Sequence, residues 1–190
     1  QATDHDLVAL AASGSEKAYR ELLDRYQRPV FSLIYRMVRD REQAEDLAQE
    51  TFVKVFNHID RFDPKYKFSS WIFKIASNLT IDAIRKKELD TVSLDGSRHA
   101  TTSDDVDATR ITVESRDENP EEYLEAKELG REIEQAIGGL RAEYQTAILL
   151  RHVEGRPYEE IAEIMGVPLG TVKTYIHRAR SELRTTLAHL

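Results

Sequence analysis

The chain has 190 residues, 41% of them hydrophobic, a formal charge of −7 and no cysteine. That length suits one large or two small globular domains, and the lack of thiols excludes a disulfide framework and any cysteine metal site, in keeping with a reducing compartment. No apolar run approaches the roughly 20 residues that cross a bilayer, and the opening QATDHDLVAL lacks the basic and apolar regions of a signal peptide, so a cytoplasmic protein without direct membrane insertion is expected. Eight glycines and five prolines leave room for long helices.

The first 90 residues read as successive amphipathic helices. Asp4 to Ala12 makes a short one. Ser15 to Gln27, after Gly14, sets Ala18, Tyr19, Leu22, Leu23 and Tyr26 on one face. Pro29 suits a first helical turn and predicts a separate short helix ending at Val38. Asp40 can cap a helix from Arg41 to Asn57 whose stripe is Ala44, Leu47, Ala48, Phe52, Val55 and Phe56. After a loop, HIDRFDPKYKF, the stretch from Lys67 to Lys87 begins with Ser69 or Ser70 as a candidate cap and runs on without Pro or Gly. At helical spacing Ile72, Ile75, Ala76, Leu79 and Ala83 form a packing face, and Trp71, Lys74, Asn78, Asp82 and Arg85 line the other. An aromatic ring and an amide beside cations can stack on a base, hydrogen-bond it and hold phosphate. A merely solvated helix face has the same outline, so this stretch alone leaves both readings open.

Charge is unevenly placed. Residues 1–90 carry 15 basic and 15 acidic side chains and residues 131–190 carry 8 and 8, whereas 91–130 carry 4 against 11, the whole of the −7. The net acidity therefore belongs to one segment and does not argue against a nucleic-acid partner, which responds to local cationic faces. From Thr91 to about Pro120 the pattern is polar and acidic, as in a flexible linker. Helical periodicity resumes at Glu121, passes Ile133 and Ile137 and pauses at Gly138 and Gly139; the next helix carries Tyr144, Ala147, Ile148 and Leu150.

Residues 157–184 have the layout of a helix-turn-helix. Pro157 opens a helix with Ile161, Ala162, Ile164 and Met165; Gly166, Val167 and Pro168 turn the chain; a second helix from Gly170 buries Val172, Ile176, Ala179 and Leu183. Lys173, Thr174, His177, Arg178, Ser181 and Arg184 point away from that stripe, making a cationic face near a helix N-terminus, as in a major-groove recognition helix, with Thr171 placed for a phosphate. The six histidines lack the pairing of a metal site, and no Gly-rich phosphate loop or nucleophile motif occurs; no catalytic residue, metal or cofactor is assigned.

Three stretches, DLAQETF at 46–52, FSSWIFKIASNLTIDAIRKK at 68–87 and GVPLGTVKTYIHRARSELR at 166–184, together resemble in kind and order the sigma-70 superfamily, specifically the two-domain extracytoplasmic-function sigma factors of bacterial RNA polymerase. The resemblance covers nearly the whole chain and implies an all-α protein of two small domains: 1–90 for core polymerase and the −10 promoter element, 91–120 as acidic linker, and 121–190 as a helix-turn-helix for the −35 element. It implies that Asp46, Leu47, Gln49, Glu50 and Phe52 bind core polymerase, with Asp46, Gln49 and Glu50 as polar contacts. It places Lys65, Lys67, Trp71, Lys74, Asn78, Asp82, Arg85 and Lys86 on the single-stranded −10 element, Asn78 beside an extruded base and the loop at 58–68 forming the pocket. Thr171, Lys173, Thr174, His177, Arg178 and Arg180 fall to the duplex −35 element. The linker would thread toward the polymerase active-site cleft. Neither a middle domain nor an appended sensor is expected within this chain, and control of a stress or envelope regulon by an anti-sigma protein is the family expectation. The alternative that the residues leave open is a stand-alone helix-turn-helix regulator.

Overall fold

The computed structural model describes residues 2–93 and 120–190, with side chains described from residue 123 onward in the second part. These residues form α1 (Asp4–Ala12), α2 (Glu16–Val38), α3 (Arg41–Asn57), a 3-10 turn at Ile59–Arg61, α4 (Phe68–Ser93), α5 (Pro120–Gly138), α6 (Ala142–His152), α7 (Tyr158–Met165) and α8 (Leu169–Thr186). The protein is all-α. The acidic linker expected at 91–120 lies outside the described residues except at its ends, where α4 continues to Ser93 and α5 begins at Pro120.

Local capping chemistry sets several of these ends. Thr3 and Asp6 form a reciprocal capping box on α1, the Thr3 hydroxyl accepting from the Asp6 amide at 3.2 Å and Asp6 accepting from the Thr3 amide at 3.0 Å. The Thr3 hydroxyl also donates to the Asp6 carboxylate at 2.7 Å, and that bond together with the Thr3 amide holds the Asp6 carboxyl below its ordinary range. Ser15 caps α2, and the Asp40 carboxylate accepts from the Gln43 amide at 2.8 Å to start α3. Ser69 and Ser70, expected as caps for α4, instead lie buried inside its first turn.

The main departure from the sequence reading is at Pro29, which sits inside one continuous helix, α2, instead of beginning a new one. A proline within a helix forfeits a hydrogen bond and crowds the carbonyl four residues earlier, at a cost of about 3 kcal/mol. Packing overrides it: Leu22 before the proline and Val30, Leu33, Ile34 and Met37 after it are all buried on one core. At roughly 1.5–3 kcal/mol for each such buried side chain, keeping both halves on one axis outweighs that local cost.

The loop at 58–68 is also more ordered than its sequence suggests. Ile59, Phe62 and Phe68 are buried, and Phe62, Phe68 and Trp71 pack against one another in edge-on and tilted pairs with ring centroids 5.4–5.9 Å apart. Tyr26 joins them edge-on to Phe68 at 5.3 Å, and burial together with a hydrogen bond to the Asp4 carboxylate pushes its phenol well above its ordinary value.

The two halves are not separate beads. One apolar cluster runs from Leu7 through Phe73 to Ile176 and Ala179, because α2 and α4 lie against α5, α6 and α7. Helix α6 is buried from Ala142 through Leu150, on every side; its Thr146 hydroxyl reaches the Met37 sulfur of α2 at 3.7 Å. At the end of α5, a Cβ on Gly138 would meet the Arg39 side chain at 3.0 Å, and Arg39 donates to the Glu134 carbonyl at 2.7 Å.

Within the helix-turn-helix, Gly166 ends α7 at φ 64°, in the left-handed region, with its amide turned back to the preceding carbonyls. Nothing lies within 4 Å of a Cβ built at Gly166 or at Gly170, the second residue of α8, so substitution at either tests the backbone alone. Gly166→Ala should destabilise the chain by about 1 kcal/mol. Gly170→Ala, in helical conformation, should stabilise it by roughly 0.5 kcal/mol. Urea titration of both variants checks the pair; equal signs would contradict the turn geometry.

Candidate nucleic-acid interface

Helix α4 presents an outward row of Lys74, Asn78, Asp82 and Arg85, all exposed, while Ile72, Phe73, Ala76, Ser77 and Thr80 are buried. The buried band is thus wider than the expected stripe, and Ile75, Leu79 and Ala83 sit at its half-buried margin. Ser77 and Thr80 are buried without cost to the core because each hydroxyl donates to the carbonyl one turn back, at 2.7 Å, to Phe73 and Ala76 respectively. Trp71 does not belong to the open row: it is half-buried, one flank on Phe62 and Phe68. A ring held this way has fixed orientation and retains an exposed edge. Lys65, Lys67 and Lys86 are exposed around the row.

Two of these cations are already partnered, by the other half of the chain. Lys67 pairs with Glu160 of α7, and Arg85 with Glu143 of α6. Sequence reading identified neither glutamate. The signal for Glu143 was an acid inside the otherwise buried run Ala142–Leu150. Burial pushes the Glu143 carboxyl up, but a bond to its own amide and the guanidinium groups of Arg85 and Arg141 outweigh this and hold it below the ordinary carboxylate range. Arg156, between Gly155 and Pro157, was likewise missed: it donates to the Ser69 hydroxyl at 3.0 Å and lies over the Phe73 ring at 5.1 Å.

On α8, Lys173, Thr174, His177, Arg178 and Arg180 are exposed, and Thr171 is half-buried near the helix start. Val172, Ile176 and Ala179 are buried against α6 and α7. Arg178 donates to the Tyr144 hydroxyl at 3.3 Å, which steadies the long side chain from below. Arg180 lies 3.1 Å from His152 Nε2. On α3, Asp46, Gln49 and Glu50 are exposed on the outer face, whereas Leu47 and Phe52 are core residues, so any part they take in docking is to hold the helix and not to touch a partner first. Among the described residues no group of three or more histidine or acidic side chains gathers as a metal site, and no helix is long and apolar enough to cross a membrane.

This arrangement, a half-open aromatic and amide row on one helical domain and a cationic helix-turn-helix on the other, has matching relatives. Residues 22–89 match the model of sigma-70 region 2 and residues 130–183 that of sigma-70 region 4. The chain is 38% identical over 180 residues to the ECF RNA polymerase sigma factor SigW of Bacillus subtilis, covering 93% of this chain and 92% of that one. It is 34% identical over 195 residues to the ECF RNA polymerase sigma-E factor of Haemophilus influenzae, covering 100% and 98%. In fold it resembles the sigma factor RpoE of Bartonella quintana, solved with the anti-sigma factor NepR, at a TM-score of 0.70 and 24% identity over 90% of this chain and 98% of that one. The two matched models define a sigma-70 type of transcription initiation factor. The chain belongs to the ECF sigma factors of RNA polymerase, proteins that bind the core enzyme, recognise −10 and −35 promoter elements and direct initiation.

The Arg180 contact makes a pH dependence. Burial first, then the Arg180 and Arg151 charges, lower the His152 pKa, so the neutral ring is favoured and can accept from Arg180. The unfolded ring titrates near pH 6.5. The contribution of His152 is therefore present above that pH and is lost as pH falls below it. Denaturant midpoints of wild type and His152→Gln, compared at pH 7.5 and 5.5, should show wild type losing ground to the variant at the lower pH.

Proposed function

We propose that α4 reads the single-stranded −10 element through Asn78, that α8 reads the duplex −35 element through Lys173, Thr174 and Arg178, and that the outer face of α3 docks on core polymerase through Asp46, Gln49 and Glu50. The observation that carries this reading is the exposed row Lys74, Asn78, Asp82 and Arg85 beside the Phe62–Trp71 edge. An amide flanked by an aromatic edge and cations suits a base taken out of its stack, which costs a few kcal/mol that stacking and hydrogen bonds must return. Lys65, Lys67, Lys74, Arg85 and Lys86 then serve the strand backbone, Asp82 orients a neighbouring cation, and Trp71 walls the base pocket. On α8, Thr171 takes a phosphate at the helix start, with His177 and Arg180 flanking the base contacts.

The domain limits that fit these roles are 1–90, 91–120 and 121–190. The protein acts in the cytoplasm and is held in reserve by an anti-sigma partner, as in the Bartonella complex, its regulon one of stress or envelope repair. Two or three base contacts on α8, each worth about 1–3 kcal/mol of discrimination, and the Asn78 contact on α4 suit readers whose separation polymerase fixes.

Asn78→Ala should lower open-complex formation on a −10-dependent promoter by roughly tenfold or more, the equivalent of at least ~1.4 kcal/mol, with core polymerase affinity unchanged. Transcription reconstituted with bacterial core enzyme and a promoter library reads the first effect, and co-sedimentation reads the second. Loss of polymerase binding would place Asn78 in docking instead. Arg178→Ala should relax selection at one −35 position by about 1–3 kcal/mol without altering −10 preference; an unchanged promoter profile would mean that another face of α8 reads the duplex.

A further inference from the structure

Tyr144 carries a hydroxyl that space-filling alone does not require. It lies in α6, the helix buried on every side, and keeps 6% of its surface, where phenylalanine would pack as well and leave no polar group to satisfy. Among the described residues that hydroxyl meets one partner, the guanidinium of Arg178 on α8, whose Nη1 donates to it at 3.3 Å. The ring is braced toward this contact. Tyr175 lies against it, tilted at 51° with centroids 5.6 Å apart, and the Arg141 guanidinium stands over it, 5.9 Å from the centroid. Tyr175 and Arg178 are one turn apart on α8, so a single face of that helix carries both the ring that braces Tyr144 and the cation that its hydroxyl receives.

Bracing matters because of where Arg178 stands. Recognition helices meet base edges with their N-terminal residues, and Arg178 lies a full turn beyond Thr174, away from the start of α8 at Leu169. Only a long side chain reaches from there. An arginine gives up more rotamer freedom than most side chains when it is fixed, and a hydrogen bond made before DNA arrives removes part of that loss. The reading atoms stay free. A guanidinium carries several N–H donors in a rigid fork; the bond to Tyr144 occupies a single N–H of Nη1, and the others can serve the paired acceptors of a guanine edge. A neutral phenol also leaves the charge of Arg178 intact. Arg141, held by the Glu143 carboxylate at 3.1 Å, shows the contrary arrangement, in which the partner cancels the cation.

We infer that Tyr144 is a positioning residue for duplex reading: its hydroxyl holds the Arg178 fork in the arrangement that meets a base pair of the −35 element, so a buried residue of α6 sets selectivity at one promoter position without touching DNA. The inference rests on the base-reading role proposed for Arg178.

Tyr144→Phe removes the hydroxyl and keeps the ring that packs in the core. With the full chain on bacterial core enzyme, transcription from a library randomised across the −35 element should show discrimination at one position reduced about fivefold in Tyr144→Phe. That position should be the one that Arg178→Ala relaxes, with the other −35 positions, the −10 preference and the urea midpoint close to wild type. In the Arg178→Ala background Tyr144→Phe should add nothing, since the group it steadies is gone. The salt dependence of promoter binding should also be unaltered by Tyr144→Phe, as no phosphate contact is removed. If Arg178→Ala relaxes its position while Tyr144→Phe leaves the profile unchanged, the inference is overturned and base reading by Arg178 stands. Uniform weakening at every position, in step with a lowered urea midpoint or a shallower salt slope, makes Tyr144 a structural or phosphate-orienting residue and overturns it equally. A profile indifferent to Arg178→Ala overturns the base-reading role, and the inference with it.

Discussion

Helix α6 is the constraint from which the architecture follows. A helix buried on every face cannot lie on the surface of a small domain, and α6 is surrounded: α8 and α7 from its own half, α2 and α4 from the other. Alone, α5–α8 would leave part of that helix in water. The first half supplies the missing cover, Met37 over Thr146 among it. The same covering brings α7 down onto the start of α4, where Arg156 lies flat on Phe73 and reaches Ser69. The position of the exposed row of α4 relative to the helix-turn-helix is thus a by-product of how α6 is buried.

The electrostatics fit that frame. Residues 1–90 and 131–190 are each neutral in sum, with the excess acid confined to 91–130, yet neutrality is reached differently in different places. On α2, Arg25 is spent within its own half on Asp4 and Glu21, tying α1 to α2. Arg36 and Arg39 are spent across the seam on Glu134. On α4, Lys74 stays exposed and makes none of the ion pairs seen among the described residues, while the outer cations cross to the second half. Counting charge by segment therefore says whether a domain can approach DNA, and pairing says which of its cations are at liberty when it does.

Much of the fold was legible because it is written in short-range chemistry. Asp40 before Arg41 marks a helix start with a side chain that satisfies a first free amide, and α1 and α3 span the residues that the sequence pattern assigns to them. The turn Gly166-Val167-Pro168 and the stripe Val172, Ile176, Ala179 were equally readable, since a left-handed glycine and helical spacing are local facts. Pro29 misled because its local cost is set against burial contributed by residues far along the chain. Trp71 misled because its neighbour Phe62 sits in a segment with no periodicity to give it a side. Contacts such as Arg85 with Glu143 and Lys67 with Glu160 join positions 58 and 93 residues apart, and nothing in either neighbourhood points to the other. Glu143 alone left a trace, as a charge in a run that is otherwise all interior.

The aromatic cluster has a practical corollary. Trp71 is the sole tryptophan, and its indole is bounded by Phe62 and Phe68 within the first half. The tryptophan emission of this protein is therefore a one-site probe: it reports the Phe62–Phe68–Trp71 cluster at the start of α4 and the melting of that half, and carries no signal of its own from the helix-turn-helix, where Tyr144 and Tyr175 lie tilted to each other at 51° with ring centroids 5.6 Å apart.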